Sequence, residues 1–224
     1  ELLKQIIQFA LDKSPVKTKN VCISGGVSLN SVAMGKIKSW FPGVIENVYI
    51  PPVPYDGGLA IGAAQIVWHE VLNNPRIEWN HNFTPYLGET WNKDHFDKVV
   101  KSYPVDITPC NLEQIVDYLN DGNIVAVFNG KSESGRRALG NRSILADPRD
   151  PDIKDKVNRI KQRELFRPFA PVVLADHASK WFDMDFESPY MQYTVKCLQP
   201  EKIPSVVHED GTSRVQTVTR DQHP

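Results

Sequence analysis

Eleven lysines and arginines and six acids stand between Lys131 and Arg167, a local balance of +5 in a chain whose net charge is −1. A basic island in a near-neutral protein points to a concave anion site rather than to a generally cationic surface. Guanidinium groups grip phosphate oxygens in a bidentate fork, and lysine adds a compact charge. The island opens on a glycine-punctuated loop, where main-chain N–H groups can join the cations around an anion. Arg137, Arg142, Lys161, Arg163 and Arg167 sit beside apolar or glycine positions and are the best-placed cations. Lys161-x-Arg163 and Arg167-Pro168-Phe169-Ala170 lead directly into an apolar strand, which fixes their direction. Arg149, Lys154 and Lys156 read as a solvated surface.

A second set of residues offers different chemistry. Val21 to Ser24 reads as a short buried strand that runs into Gly25-Gly26 and then a helix. That arrangement is either a tight turn or a place where a nucleotide approaches the backbone at a helix N-terminus. Asp56 ends a proline-rich loop at the start of another helix. It is either an N-cap or a carboxylate that reaches a metal or a nucleotide-bound cation. His208 with Asp210 reads as a general base or as the ordering of a turn. Asp183, Asp185 and Glu187 read as a cation site or as a solvated loop.

The elements that must position these groups follow from periodicity and caps. Leu2, Leu3, Ile6, Ile7 and Ala10 mark an amphipathic helix. Helices are predicted from about Asn30 to Trp40, Leu59 to Leu72, Lys93 to Ser102, after Asn111, and over Ile153 to Ile160. Asn111 and Gln114 form a capping box. Strands are predicted at Val48–Ile50, Ile124–Phe128, Phe169–Leu174, Tyr190–Leu198 and Ser213–Thr219, with Gly130 to Ser143 as a loop and Ala178 to Phe182 as a helical turn. The division is 1–75, a connection over 76–110 whose aromatics, among them Trp79 and Trp91, pack it onto a domain, and 111–224. The class is α/β with an antiparallel or mixed sheet.

Composition sets the bounds. At 224 residues, 41% hydrophobic and 24% charged, the chain is a globular protein of one or two domains. No apolar run approaches the roughly 18–20 residues that span a bilayer. Cys22, Cys110 and Cys197 are too few and too scattered for a disulfide framework or a zinc site, which predicts a reducing cytoplasm. The opening ELLKQIIQFALDK reads as a helix already in progress rather than a leader, and predicts a fragment of a longer protein.

GGVSLN (25–30) followed by PPVPYDGGLAIGAA (51–64) resembles the distal half of an actin-like (ASKHA) ATPase domain. It is most similar to the version found in the tRNA threonylcarbamoylation ATPase and in O-carbamoyltransferases. The resemblance implies nucleotide contacts at Gly25, Gly26 and Asn30 and a metal ligand at Asp56. The family's metal is iron, with magnesium possible for ATP. Its HxxxH pair does not occur among His69, His81, His95, His177, His208 and His223, which implies an incomplete metal site.

GKSESGRRALGNRSILADPRDP, NRIKQRELFRPFAPVVLAD and HEDGTSRVQTV, in that order, resemble the C-terminal domain of the nodulation-factor, cephamycin and tobramycin O-carbamoyltransferases. The fold implied is α/β: the distal half of an actin-like domain followed by a YrdC-like α/β domain. By residue match, Lys161, Arg167 and Arg214 would hold the phosphate-bearing substrates, with Arg137, Asn141, Arg142, Ser143 and Arg163 beside them. The implied reaction forms carbamoyladenylate from carbamoyl phosphate and ATP, and then passes the carbamoyl group to an acceptor hydroxyl near the metal. Two departures stand out. Arg136 occupies the family's proline position, which loosens the loop or adds a charge toward phosphate, and the family's Asn-Thr-Ser-Phe-Asn segment is absent. The rival readings are a hydrogenase-maturation carbamoyltransferase and an RNA-binding module. RNA is disfavoured because Phe166 and Phe169 read as buried and the net charge is −1. No membrane partner is expected.

Overall fold

The computed structural model describes residues 1–76, 85–104 and 106–221. Trp79, His81 and His223 lie outside the described residues. The first unit runs α1 (Leu2–Lys13), β1 (Asn20–Cys22), a 3₁₀ turn (Gly26–Leu29), α2 (Ser31–Gly35), α3 (Ile37–Trp40), β2 (Asn47–Tyr49) and α4 (Gly57–Ile66), which continues as a π-helical turn over Val67–Val71. The strands β1 and β2 pair in parallel. The helix expected from Asn30 to Trp40 is two short helices, broken where the turn bond from Lys36 N to Ala33 O replaces the helical ladder (3.2 Å). In α4 every apolar side chain is at least partly open, and Leu59 is 72% exposed.

After α5 (Lys93–Ser102) and α6 (Leu112–Asn120) come β3 (Val125–Phe128), β4 (Arg142–Leu145), α7 (Ile153–Ile160), β5 (Val172–Leu174), α8 (Ala178–Trp181), β6 (Thr194–Lys196), β7 (Thr212–Arg214) and β8 (Gln216–Val218). The capping box that starts α6 is present: Asn111 Oδ1 accepts from Gln114 N (2.9 Å) and Gln114 Oε1 from Asn111 N (3.0 Å). The pairs β3–β4 and β6–β7 are antiparallel, while β5–β8 is parallel. β4 lies partly inside the stretch read as loop, because its four residues show no apolar alternation. The strand expected from Phe169 begins only at Val172, since Pro168 and Pro171 cannot donate to a ladder. The strand expected over Ser213–Thr219 divides at Val215, a fully buried side chain. On one side of it the chain pairs with β6, on the other with β5.

One cluster of buried side chains joins both ends of the chain. Ile7, Met34, Ile37, Phe41 and Ile50 pack with Phe182, Met184, Val195, Cys197 and Val215. A polar seam runs beside it. Gln192 Nε2 donates to the carbonyls of Ile50 (2.9 Å) and Pro51 (2.7 Å), and the Tyr193 hydroxyl donates to Val48 O (2.8 Å). The segment before α5 is tied to the loop after β3: Ser134 N and Oγ both donate to Pro85 O (2.7 Å each), and Gly88 N donates to Ser132 O (3.1 Å). Tyr86 packs this segment down, while Trp91 stays exposed against the edge of His95.

The closest approach in this seam is at Gly35, where an added Cβ would lie 2.1 Å from the Thr194 carbonyl oxygen. Alanine in a helix interior ordinarily gains about 1 kcal/mol over glycine. Here the clash reverses the sign, and Gly35→Ala is expected to cost about 1–3 kcal/mol. Gly62→Ala in α4 meets nothing within 4 Å and should hold or raise stability. Thermal unfolding of the two variants side by side checks this; equal melting temperatures would remove the α2–β6 contact from the account.

Candidate anion-binding site

The apolar face of α7 sets the geometry. Ile153 and Val157 bury one side of the helix, and Asn158 beside them is fully buried. Asn158 Nδ2 donates to the carbonyls of Leu165 (3.2 Å) and Arg167 (3.0 Å), while its Oδ1 accepts from Arg163 Nε. A buried amide with every site engaged curls the chain after α7 into a fixed loop. That loop starts with Gln162 in the left-handed region, at φ 49°. It turns Arg163 inward, with its guanidinium 4.4 Å above the Phe169 ring. From the far side, β7 delivers Arg214. Ser213 is fully buried and donates to Val206 O (2.9 Å), so the alternation of the strand turns Arg214 the other way. The loop after β3 delivers Arg136 and Arg137.

These groups surround a cavity of about 470 Å³. Arg136, Arg137, Ser143, Lys161, Arg163 and Arg214 line it, with Leu139, Phe169, Met191 and Gln216 between them, and no described lining residue is an acid. Burial first, and then repulsion from Arg137 and Arg163, push the Arg214 pKa down to about 10. Burial and Arg136 lower Arg137. Burial and Arg167 lower Arg163, with Glu164 opposing. Arg214 Nε and Arg163 Nη2 are buried with no hydrogen-bond partner. Cations held together without a counter-charge form a site for an anion carrying several acceptor oxygens.

The other expected site residues fall elsewhere. Arg167 is exposed and ion-paired to Glu164 (2.7 Å), outside the cavity lining. Arg142 stacks 3.6 Å over Phe128 and donates to the carbonyls of Asn129 (2.7 Å) and Gly130 (3.2 Å), closing the neck of the loop. Asn141 is buried and donates to Lys131 O (2.7 Å). Phe166, expected to be buried, is 79% exposed, because the loop turned by Asn158 directs it outward. His208 and Asp210 both bond Thr212, at 3.1 Å and 2.6 Å, in the turn before β7; this is the ordering role. Asp183, Asp185 and Glu187 are exposed.

A second cavity, also about 470 Å³, lies between the Gly25 turn and the proline-rich loop, with Tyr49, Tyr55, Asp56 and Gly62 in its wall. Gly25 N donates to Pro54 O (2.6 Å), which joins the two loops, and Gly25 takes φ 94°. Gly26 opens the 3₁₀ turn, and Asn30 caps α2 by accepting from Ala33 N (3.1 Å). Asp56 stands at the N-cap of α4 but its side chain makes no capping bond. Among the described residues it is the one carboxylate in the wall, and no group of three His, Cys, Asp or Glu could hold a metal ion. This donor set does not by itself fit the iron that the resemblance implies. The two cavities are neighbours: Arg136 lies 4.5 Å over Tyr55, and Arg137 Nη2 donates to Leu29 O (3.2 Å).

Both cavities coincide with stretches that match known families. Residues 4–65 match the model described as Carbamoyltransferase N-terminus, and residues 116–224 match Carbamoyltransferase C-terminus. The chain belongs to the carbamoyltransferase family. It is 36% identical to Nodulation protein U of Bradyrhizobium diazoefficiens, over 98% of this chain and 37% of that protein. It is 33% identical to Nodulation protein NolO of the same organism, over 91% and 38% respectively. An uncharacterized protein of Methanocaldococcus jannaschii is 35% identical over 93% of this chain and 35% of its own length. The chain thus spans little more than a third of the length of these relatives. Within this chain the cationic cavity falls wholly in the C-terminal match, and Gly25 and Asp56 fall in the N-terminal one. Two residues that build the cationic site were not read from the sequence: Asn158 and Gln216. A signal existed for Asn158, a polar residue on the buried stripe of α7.

Arg214 is charged in both the folded and the unfolded chain at neutral pH, so its burial penalises folding there. The penalty is full below the folded-state pKa of about 10 and fades as pH rises toward the ordinary value of 12.5. Replacing buried charged side chains with apolar ones of similar volume is often neutral or stabilising by about 1–4 kcal/mol, and Arg214 has no acid beside it in the cavity lining. Arg214→Met is therefore expected to raise the unfolding midpoint at neutral pH, with a gap that narrows only in strong alkali. The same variant should lose the stabilisation that added pyrophosphate confers on the parent. A lower midpoint for Arg214→Met would mean that the guanidinium is compensated within the fold.

Proposed function

We propose that this chain forms part of an ATP-dependent O-carbamoyltransferase and that its cationic cavity is where the carbamoyl group is activated. The observation that supports this reading is the convergence of Arg137 with Arg163 and Arg214, each of the latter two with a buried, unpartnered nitrogen, and no described acid in the lining. Water cleaves carbamoyl phosphate to carbamate and inorganic phosphate. A carbamate oxygen then attacks the α-phosphorus of ATP, giving carbamoyladenylate, and pyrophosphate leaves. Negative charge builds on the phosphoryl oxygens in this step, and fixed guanidinium groups in a partly dry site stabilise it without rearranging. Lys161, at the mouth, adds a mobile charge. Ser143 Oγ accepts from Gly140 N (2.9 Å), which leaves its O–H to donate. Arg167 belongs to this reading as an outer charge that draws anions in.

The oxygen of an acceptor hydroxyl then attacks the carbamoyl carbon at the neighbouring cavity, beside Gly25 and Asp56; the bond to AMP breaks, AMP leaves and the hydroxyl proton passes to solvent. Asp56 is offered as one ligand of a divalent metal, a role for which its uncapped carboxylate is free of a competing helix bond. Phe166 beside Arg167 would allow a base to stack, but it is exposed and outside the lining of the cationic cavity, and a pocket of this size suits a small polyanion better than a strand of RNA.

The test is pyrophosphate release by the full-length protein given ATP and carbamoyl phosphate without acceptor. Release is expected to require carbamoyl phosphate and to fall about 100-fold or more in Arg214→Ala and Arg163→Ala. Arg167→Ala should lose far less. No release from a folded protein that binds ATP would sink the adenylate reading. RNA binding that weakens steeply with salt would then be the next reading to measure.

A further inference from the structure

We propose that Glu133 is the positioning residue of the cationic cavity, holding the loop that presents Arg136 and Arg137 to the bound anion. The proposal rests on the anion-binding reading above. Glu133 lies within the basic island, yet it forms no ion pair with Arg136, Arg137 or Arg142 among the described contacts. Its Oε1 instead accepts from three main-chain amides: Leu139 N (2.8 Å), Asn141 N (3.0 Å) and Arg142 N (3.3 Å). The intervening amide, Gly140 N, donates to Ser143 Oγ, and Gly140 takes φ 118°. Successive N–H groups bent around one point make a nest of the kind that binds anions. Here the chain fills the nest with its own carboxylate.

The consequence is geometric. The carboxylate closes a ring from residue 133 to 142, and Arg136 and Arg137 ride on it. Two further bonds fix the same ring: the Tyr86 hydroxyl (2.8 Å) and Gln216 Nε2 (3.0 Å) both donate to Leu139 O. Gln216 lies next to β7, so the ring is registered against the strand that carries Arg214. Bonds from amides to a charged acceptor are roughly twice as strong as neutral ones. Without the carboxylate, three half-buried amides lose their acceptor together, and the two arginines lose their fixed approach to Arg214. Glu133 does not line the cavity, so its effect is exerted through the loop.

The experiment measures inorganic pyrophosphate binding and amide hydrogen exchange on the full-length protein, for the parent, Glu133→Ala and Glu133→Gln. Glu133→Ala is expected to bind pyrophosphate about tenfold or more weakly and to lose protection at Leu139, Asn141 and Arg142 while the β6–β7 amides stay protected. Glu133→Gln keeps an oxygen acceptor and should recover most of the affinity and the protection. Global loss of protection in Glu133→Ala would be a folding defect, and the Gln variant then decides alone. Unchanged protection and affinity in Glu133→Ala overturns the proposal, as does a Gln variant as defective as Ala. A parent that fails to bind pyrophosphate sinks the anion reading instead, and exchange at the three amides still decides whether Glu133 holds the loop.

Discussion

Like charges brought together out of water are the constraint on which this structure depends. Arg137, Arg163 and Arg214 converge on one cavity, and the deepest of them has its pKa pushed down to about 10. Left to themselves the three side chains would swing out to solvent. They stay because each is attached to something that cannot move. Arg163 is clamped by Asn158 and rests on Phe169, Arg214 lies on a strand between a buried serine and a buried valine, and Arg137 reaches across to the Leu29 carbonyl. The unfavourable assembly is offset by the apolar core that runs from Ile7 to Val215. The folded protein alone gains nothing from such an arrangement, which is the chemistry that suits a polyanion.

The same physics explains what could be read in advance. Helices with local signals were legible: the capping box at Asn111 and the stripe of Ile153 and Val157 place α6 and α7 within the residues expected. The short strands β1, β2 and β3 lie within two residues of where they were expected, but the limits of the strands after α7 were not legible, because they come from partners far along the chain. Val215 looks like mid-strand in sequence, yet it is the point where the chain leaves β6 and joins β5. Pro171 removes a donor, and β5 starts after it.

The candidate site was legible as a chemistry and less so as a list. The basic island does contribute to a cationic cavity, but sequence ranks Arg142 and Arg167 alongside Arg137 and Arg163. Local geometry separates them. Arg167 has Glu164 one turn away and pairs with it in solvent, while Arg142 has three carbonyls within reach and closes a loop. Arg163, five residues from the buried Asn158 amide and bonded to it, is directed inward. Neither Asn158 nor Glu133 carries the charge that draws the eye to a phosphate site. Both act by ordering main chain, and such roles depend on which amides a fold brings together.

Arg136 shows how these levels fit. The resemblance places a proline there, a residue that stiffens a loop by fixing φ. With arginine instead, a looser loop was one expectation. The ring from 133 to 142 is held by other means: three amides on Glu133, and Tyr86 and Gln216 on the Leu139 carbonyl. At Gly135 an added Cβ would sit only 3.2 Å from Pro52 O, so the ring also abuts the proline-rich loop. A loop tied at so many points needs no proline to keep its shape. The side chain at 136 is then free to be something else, and as arginine it reaches both cavities, lining one and resting on Tyr55 of the other. A cation–π contact of this kind contributes about 0.5–1 kcal/mol, less than a charge-assisted bond to phosphate. Of the two adjacent arginines, Arg137 is therefore the fixed one, and Arg136 is the one an incoming anion can recruit.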